Sequence, residues 1–402
     1  MKVLHVVSGL NGGAGIACLR LHKALLNYSE VESEILTLFY TGKEEGVRSM
    51  IPNKFLFTCY KLYKKLFFFS PEVFFHRWVS AFSSNYEVVS VPFSIFRLHK
   101  KKYIRDADVI NLHWVSGMLD WPSFFRKNNI PVAWTLHDLN PMQGIFHYEQ
   151  DVVENPKVKK IGEYFRLLKK ESLQKHAQKI YFVALNEWMK GKIGNYFSGD
   201  FPCQIIPNSI DISVFKPEGS SYEFFQENEG KKKLLFVAGT TDNRRKGLDL
   251  LMASLEDLKH ENIALVVVGT VTGNEWDFPD SKMPIWFVGK VMNPRMMADL
   301  YTNCDLFILP SREDNLPNVI LEAHLCGCAV VGNNVGGVGS LIKPGENGVL
   351  SAHLTPLNLA EAIREAMNIN FEREEIAASA KLRFSPQKQA SEYISVYKKL
   401  LD

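Results

Sequence analysis

The sequence predicts an α/β protein of two domains, each built on a parallel sheet with helices on both faces. Three observations carry this. Apolar runs of strand length alternate with helix-period segments along the chain, the βαβ rhythm of doubly wound domains. Those runs are short and continuous, several rich in Val and Ile, as strands buried on both faces are. The chain also has 402 residues, more than one core usually holds.

In chain order, strands are expected at 2–7, 34–39, 108–113, 132–137 and 180–185, then at 233–239, 264–269, 285–289, 305–310 and 329–333. Helices fall between them, among others at 14–28, 159–178, 247–258 and 318–326. Turn-forming residues gather between the two halves: Pro207, Asn208, Pro217, Gly219, Ser220 and Ser221. A linker around 207–230 therefore separates a first domain, 1–208, from a second, 209–385. The last segment, PQKQASEYISVYKKLLD, has apolar residues at helical spacing, and Pro386 suits a first helical turn. This helix, 386–402, is expected to complete the first domain.

Composition narrows the class. The chain is 46% hydrophobic and 23% charged, as ordinary globular proteins are. A net charge of +3 gives no footing for nucleic-acid binding. The start, MKVLHVVSGLNGG, reads as a first strand rather than a secretion signal. No run reaches the 18 or so apolar residues of a spanning helix. A cytoplasmic location is expected. The cysteines (Cys18, Cys59, Cys203, Cys304, Cys326, Cys328) lie scattered in apolar segments and read as buried free thiols. Cys326 and Cys328 form a CxC, not the CxxC of a zinc site, and no metal is expected.

One stretch of the first domain stands apart: KFLFTCYKLYKKLFFFSPEVFFHRW, 54–78. On a helix, Lys54, Lys61 and Lys65 share a stripe, with Lys64 beside it and Phe and Leu around the rest. A basic aromatic helix of this kind can lie in an anionic membrane interface, which would put the protein on the inner face of the plasma membrane. A core-packing helix with a solvated lysine face is the competing reading.

Four features carry chemistry. The stretch SREDNLPNVILEAHLCGCAVVGNNVGG, 311–337, is the most informative. It joins a strand end, a polar loop, a helix start at Pro317–Asn318 and a second buried strand ending near Gly336–Gly337. Such a place suits a phosphorylated ligand. Asp314 in the loop and Glu322 in the helix add two carboxylates, the second placed for sugar hydroxyls; helix capping alone would explain only one of them. Next comes AGTTDNRRKGLDLL, 238–251, where Arg244, Arg245 and Lys246 stand between a strand end and a helix. Cations there can hold a diphosphate. The third feature is Gly12–Gly13–Ala14–Gly15 after the first strand; it lacks the GxGxxG spacing, and a plain tight turn is as good a reading. The fourth is the pair His113 and His137, each at a strand end, with Asp138 following. Both imidazoles are expected to face a cleft between the domains, although a lone strand-end histidine is often structural.

These residues resemble a known family. PSREDNLPNVILEAHLCGCAVVGNNVGG is similar to the nucleotide-sugar motif of glycosyltransferase family 4, retaining enzymes of the GT-B fold. The resemblance extends to NGGAGIACLRL, WTLHDLNP, IPNSID, the RKG turn, FVGKV and the final helix. WTLHDLNPMQGIFHY further resembles a subgroup of bacterial surface-polysaccharide assembly. The resemblance implies two facing Rossmann-like domains with a cleft between them. The second would bind a nucleotide-diphosphate sugar and the first most of the acceptor. Glu322 would hold the ribose hydroxyls. Asp314 would lie near the donor sugar, where the family usually has the longer Glu. The loop Asn315, Leu316, Pro317, Asn318 and Val319 would touch sugar or phosphates through its backbone. Lys246, with Arg245 or Arg244, would neutralise the diphosphate, and Gly13 beside Gly12 would admit backbone amides to it. His137 matches the active-site histidine. No cofactor beyond the donor substrate is implied, and cations with helix dipoles replace a divalent metal.

The reading is a retaining hexosyltransferase that acts on a glycan acceptor, lipid-linked, in cell-surface polysaccharide synthesis. Two others stay open: a GT-B sugar-nucleotide epimerase, and a non-catalytic sugar-nucleotide-binding subunit.

Overall fold

The computed structural model describes residues 1–66, 70–84, 86–270 and 283–402. It divides into two compact units, Met1–Asn208 with Gln387–Asp402, and Ser209–Pro386.

The first unit is a seven-stranded sheet of β1 (Lys2–Val7), β2 (Glu32–Thr37), β3 (Val47–Ser49), β4 (Val109–Leu112), β5 (Val132–Leu136), β6 (Ile180–Ala184) and β7 (Cys203–Ile205). The order is β3-β2-β1-β4-β5-β6-β7, and every neighbouring pair is parallel. All residues of β4 and β5 are buried, which explains their unbroken apolar runs. Trp134, Phe182, Phe124 and Phe125 fill one face of the sheet. On the other, Leu21 and Leu25 of the helix Gly13–Tyr28 meet Tyr393, Val396 and Tyr397 of the terminal helix Pro386–Leu401. The two tyrosines bury completely because their hydroxyls find partners there. Tyr393 lies 2.9 Å from Thr135 Oγ1, and Asn111 Nδ2 donates to Tyr397 at 2.8 Å.

The second unit is a six-stranded parallel sheet of β8 (Lys232–Thr240), β9 (Ile263–Thr270), β10 (Ile285–Gly289), β11 (Leu306–Leu309), β12 (Ala329–Asn333) and β13 (Gly348–Ser351). Its order is β10-β9-β8-β11-β12-β13. Both sheets therefore reverse their winding once, between β1 and β4 in the first and between β8 and β11 in the second. Ligands of open α/β sheets bind beyond the strand ends at such reversals.

Several sequence expectations need correction. Strands β3, β7 and β13 were not expected; each is an edge strand of three or four residues, too short for a periodic signal. The helix expected over 247–258 spans only Leu248–Ser254, and a 3₁₀ turn, Arg244–Lys246, precedes it. The segment 54–78 is not one helix. Lys54–Leu66 and Pro71–Phe82 are separate, the second started by Pro71 and by Ser70 Oγ, which accepts from Val73 N–H at 3.2 Å; residues 67–69 between them lie outside the described residues. Nor do its lysines act alike: Lys64 folds onto the buried Glu72, 3.4 Å away. Cys59 is exposed, unlike the buried Cys18, Cys304, Cys326 and Cys328.

Candidate functional site

In the second unit, the loops after β8 and β11 meet at the winding reversal. Gly247 makes that approach possible. Its φ is +74°, and a Cβ there would stand 2.0 Å from the carbonyl oxygen of Pro310. The loops are then stitched by backbone and charge. Arg312 N–H donates to Arg245 O at 2.8 Å, and the Arg312 guanidinium reaches both oxygens of Asp249, at 2.8 and 2.6 Å. A third segment closes the cluster. Gly336 adopts φ +54° directly against the Asp314 carbonyl, which accepts from Gly337 N–H at 2.9 Å.

This framework brings Arg245, Lys246 and Asp314 together. Lys246 Nζ donates to Asp314 Oδ2 at 2.6 Å; Arg245 reaches the same oxygen at 3.3 Å and the Glu313 carbonyl at 3.0 Å. Burial alone would raise the Asp314 carboxyl, but Lys246 and Arg245 outweigh it and hold it below the ordinary carboxylate range. Two cations thus share one carboxylate in a half-buried place. Downstream, Asn315, Leu316 and Pro317 are buried and lead into the helix Asn318–Leu325, whose start carries no side-chain cap. Glu322, half-buried, stands one turn into that helix with Val319 and Asn318 before it. Arg244 precedes the pair and gives its carbonyl to Arg312 at 2.6 Å.

In the first unit, the winding reversal lies between β1 and β4, and three histidines line up across it. His5 of β1 places Nδ1 3.0 Å from His113 Nε2. His113 then places Nδ1 3.0 Å from His137 Nε2, just beyond β5. Burial holds all three pKa values down, to about 3 for His5 and about 4 for His137, with His113 also well below its ordinary value. All are therefore neutral near pH 7.

A second chain starts at the next residue. Asp138 Oδ2 lies 2.5 Å from His147 Nδ1, and His147 Nε2 lies 2.6 Å from Ser90 Oγ, which meets Ser116 Oγ at 2.5 Å. Burial would raise Asp138, but the facing His147 and the Asn140 N–H outweigh it and hold it below its ordinary value. As a carboxylate, Asp138 accepts from Nδ1–H. Trp114 Nε1 also lies 3.1 Å from Nδ1, but an N–H cannot donate to a nitrogen already protonated toward a carboxylate. The indole packs tilted beside the imidazole, ring centres 5.5 Å apart. These groups line one pocket with His113, His137 and Asn140. Beneath it the fully buried Lys169 donates to Asn140 O, Asn140 Oδ1 and Gln143 O at 2.8 to 3.1 Å.

The glycine loop divides its labour. Around Gly12 and Gly13 a Cβ would meet open space, whereas at Gly15 it would stand 2.1 Å from the Gly9 carbonyl oxygen. Gly15 seats the helix on the loop; Gly12 and Gly13 leave its rim clear. Sequence reasoning passed over His5, His147, Ser90, Ser116 and Lys169. A signal existed for His5, a lone titratable residue inside the apolar run KVLHVV, and for Lys169, a cation on the buried side of the helix Lys159–Gln174.

Comparisons with known proteins fit this geometry. Residues 231–368 match the family described as glycosyl transferases group 1. A D-inositol 3-phosphate glycosyltransferase from Xylanimonas cellulosilytica is 25% identical over 309 residues, 72% of this chain and 71% of that protein. Others of that name align over as little as 53% of their length. Among solved structures, a sucrose-phosphate synthase from Thermosynechococcus elongatus matches all of this chain and 99% of its own, at TM-score 0.64 and 16% identity. Anabaena Alr3699/HepE, solved in complex with UDP and glucose, covers 98% of this chain and 99% of its own, at TM-score 0.61 and 18% identity. The fold of two Rossmann-like, parallel-sheet domains is thus shared with these two solved structures over nearly their whole length.

Proposed function

Because residues 231–368 form a glycosyl transferases group 1 domain, we propose that the chain is a retaining hexosyltransferase that draws on a nucleotide-diphosphate sugar. The observation that carries this is the Lys246–Asp314–Arg245 cluster at the winding reversal of the second sheet. Glycosyl transfer builds positive charge on the sugar and negative charge on the departing diphosphate. Fixed cations aimed at that negative charge are a large catalytic term, and they need no reorganisation when it develops. Here Lys246 and Arg245 are pre-positioned by their shared carboxylate. A diphosphate that enters takes over part of their hydrogen bonding, while Asp314 stays close enough to face the sugar.

The second unit is thus the donor-binding unit, with Glu322 on the ribose hydroxyls and the backbone of 315–319 on sugar and phosphates. The first unit takes the acceptor in the pocket lined by Trp114, His137, Asp138 and His147. The acceptor is a glycan, lipid-linked, of the kind used in cell-surface polysaccharide synthesis. Support for a lipid-borne acceptor comes from the helix Lys54–Leu66, which we place on an anionic membrane surface; among the described residues, no helix is long and apolar enough to cross a membrane.

The test is release of nucleoside diphosphate from a panel of sugar donors, with lipid-linked glycans and inositol phosphate offered as acceptors. Lys246→Ala and Glu322→Ala should each lower kcat/KM about 100-fold, equivalent to about 2.7 kcal/mol of transition-state binding. Full activity in both variants would refute the site. Epimerised donor formed without acceptor, or donor binding with no turnover on any acceptor, would replace the transferase reading.

A further inference from the structure

We propose that His113, and behind it His5, are positioning residues that hold His137 in one neutral tautomer, with its proton on Nδ1. A neutral imidazole has one donor and one acceptor nitrogen. In the line His5 Nδ1···His113 Nε2 and His113 Nδ1···His137 Nε2, both distances 3.0 Å, one choice of direction therefore fixes all three rings. If the line runs outward, His5 Nδ1–H donates to His113, and His113 Nδ1–H donates to His137 Nε2. His137 then carries its proton on Nδ1. If it runs inward, His137 donates from Nε2 and its Nδ1 is bare.

The inner end decides. His5 Nε2 is fully buried and has no hydrogen-bond partner. In the inward arrangement that atom is an N–H donor buried without an acceptor; in the outward one it is a bare lone pair. A buried orphan N–H is the rarer and costlier of the two defects. The surroundings agree. The Cys18 sulfur lies within 4.8 Å of a ring nitrogen of each of His5 and His113, and burial keeps it a thiol, a weak donor with no charge to attract an N–H. His22, whose ring centre is 6.4 Å from that of His5, offers no acceptor either. Its Nε2 must donate to the Glu45 carbonyl at 2.9 Å, and its Nδ1 is taken by Ser33 Oγ at 2.7 Å. At the outer end His137 Nδ1 has no hydrogen-bond partner among the described residues. His137 thus presents a fixed N–H donor in the pocket. The glycosyl-transfer reading adds only what that proton meets, a sugar hydroxyl.

The tautomer can be read directly. Histidine labelled with ¹⁵N in the full-length protein gives two-bond proton–nitrogen correlations whose pattern differs between the Nδ1–H and Nε2–H forms, and His137→Gln identifies the signal. Wild-type His137 should show the Nδ1–H pattern at pH 7. A wild-type Nε2–H pattern, or a mixture of the two, overturns the proposal without any variant having to fold. His113→Phe keeps a planar aromatic ring and removes the donor, so His137 should become a mixture of tautomers. His5→Gln offers His113 Nε2 either an amide N–H or an amide oxygen, so it releases the direction of the His113–His137 pair and should also produce a mixture. A pure Nδ1–H pattern that survives in both folded variants would show that the chain does not set it. No substrate is involved, so failure of the transfer reading and failure of this one are distinguishable.

Discussion

Lys246 Nζ lies 2.6 Å from Asp314 Oδ2, so this cation is held by a carboxylate before any phosphate arrives. The pair has two consequences. It pre-orients the lysine, and under the proposed function it makes Asp314 a competitor of the donor's diphosphate. Asp314→Asn removes the competition while keeping the shape. Binding of nucleoside diphosphate should tighten about fivefold to tenfold, about 1 to 1.4 kcal/mol, with a steeper dependence on salt. Calorimetry at two salt concentrations measures both. Weaker binding would mean that the carboxylate serves the ligand rather than opposing it.

Gly336 is the second lever on the same loop. At φ +54° its missing Cβ would stand 2.0 Å from the Asp314 carbonyl oxygen. Gly336→Ala must both strain the backbone and push the Asp314 loop outward. The left-handed conformation alone costs about 1 to 2 kcal/mol. The variant should fold with reduced stability and raise KM for the donor about tenfold. A donor KM equal to wild type would show that the loop can shift without consequence.

Much of this was legible in the sequence, for reasons that can be named. The strand cores of both units stood out because strands buried on both faces leave continuous apolar runs, as VVVG in β9 and AVVGN in β12 do. Arg245, Lys246 and Asp314 were found because strand-end loops that carry charge stand out between such runs. Their mutual pairing was not legible, since 68 residues separate Lys246 from Asp314. The histidine line was half legible. His113 and His137 end strands, but His5 reaches them only because β1 is the neighbour of β4, a fact of strand order that no local pattern contains. The double helix of 54–82 was missed because continuous aromatic residues masked the capping serine before Pro71.

Acid should weaken both units before it titrates their carboxylates. His5 and His137 in the first unit have pKa values held down to about 3 and about 4, and His324 in the second to about 4, each chiefly by burial. His5 faces His22, His113 and Cys18; His137 faces Asp138 and His113; His324 faces Arg383 and the Asn347 carbonyl. In the unfolded chain these rings titrate near 6.5. The unfolded state thus binds protons that the folded state refuses. Their contribution is complete above pH 6.5 and is lost as pH falls toward 4. The slope is about 1.4 kcal/mol per pH unit for each such histidine. Urea unfolding between pH 7 and 5 reads it, and His324→Gln should flatten the second unit's share. Stability independent of pH across that range would contradict the burial of neutral rings.

Lys169 braces the pocket from below. Its ammonium serves three oxygens of the 140–143 segment and lies 5.1 Å from the centre of the Trp121 ring; burial pulls its pKa down to about 7, resisted by the charge of Asp138. Lys169→Met keeps the length but strands those oxygens. A loss of about 3 kcal/mol in unfolding free energy is expected, since each unsatisfied buried acceptor costs about 1 to 3 kcal/mol and relaxation recovers part. Denaturant titration measures it. A loss below about 1 kcal/mol would mean that water replaces the ammonium without strain.

The helix Lys54–Leu66 yields the last prediction. Its inner side is anchored: Phe57 stacks on Phe39 with ring centres 4.2 Å apart, Tyr60 is buried, and Lys64 pairs with Glu72. Its outer side exposes Phe55, Cys59, Leu62 and Leu66, spaced by three and four residues and so forming one stripe. Phe55 is 75% exposed and Leu66 60%, an unusual display for apolar residues in regular structure. Lys54, Lys61 and Lys65 flank the stripe, and the helix has no acidic residue. An apolar stripe with cations along one side matches the boundary between acyl chains and anionic headgroups. The two halves of the interaction separate experimentally. Replacing Phe55, Leu62 and Leu66 with Ser should abolish sedimentation with vesicles at all salt concentrations. Replacing Lys54, Lys61 and Lys65 with Glu should abolish it on anionic vesicles, and Lys64→Gln should leave it intact because that lysine faces inward. Vesicle binding that survives both triple substitutions would assign the stripe to a protein partner or to no partner at all.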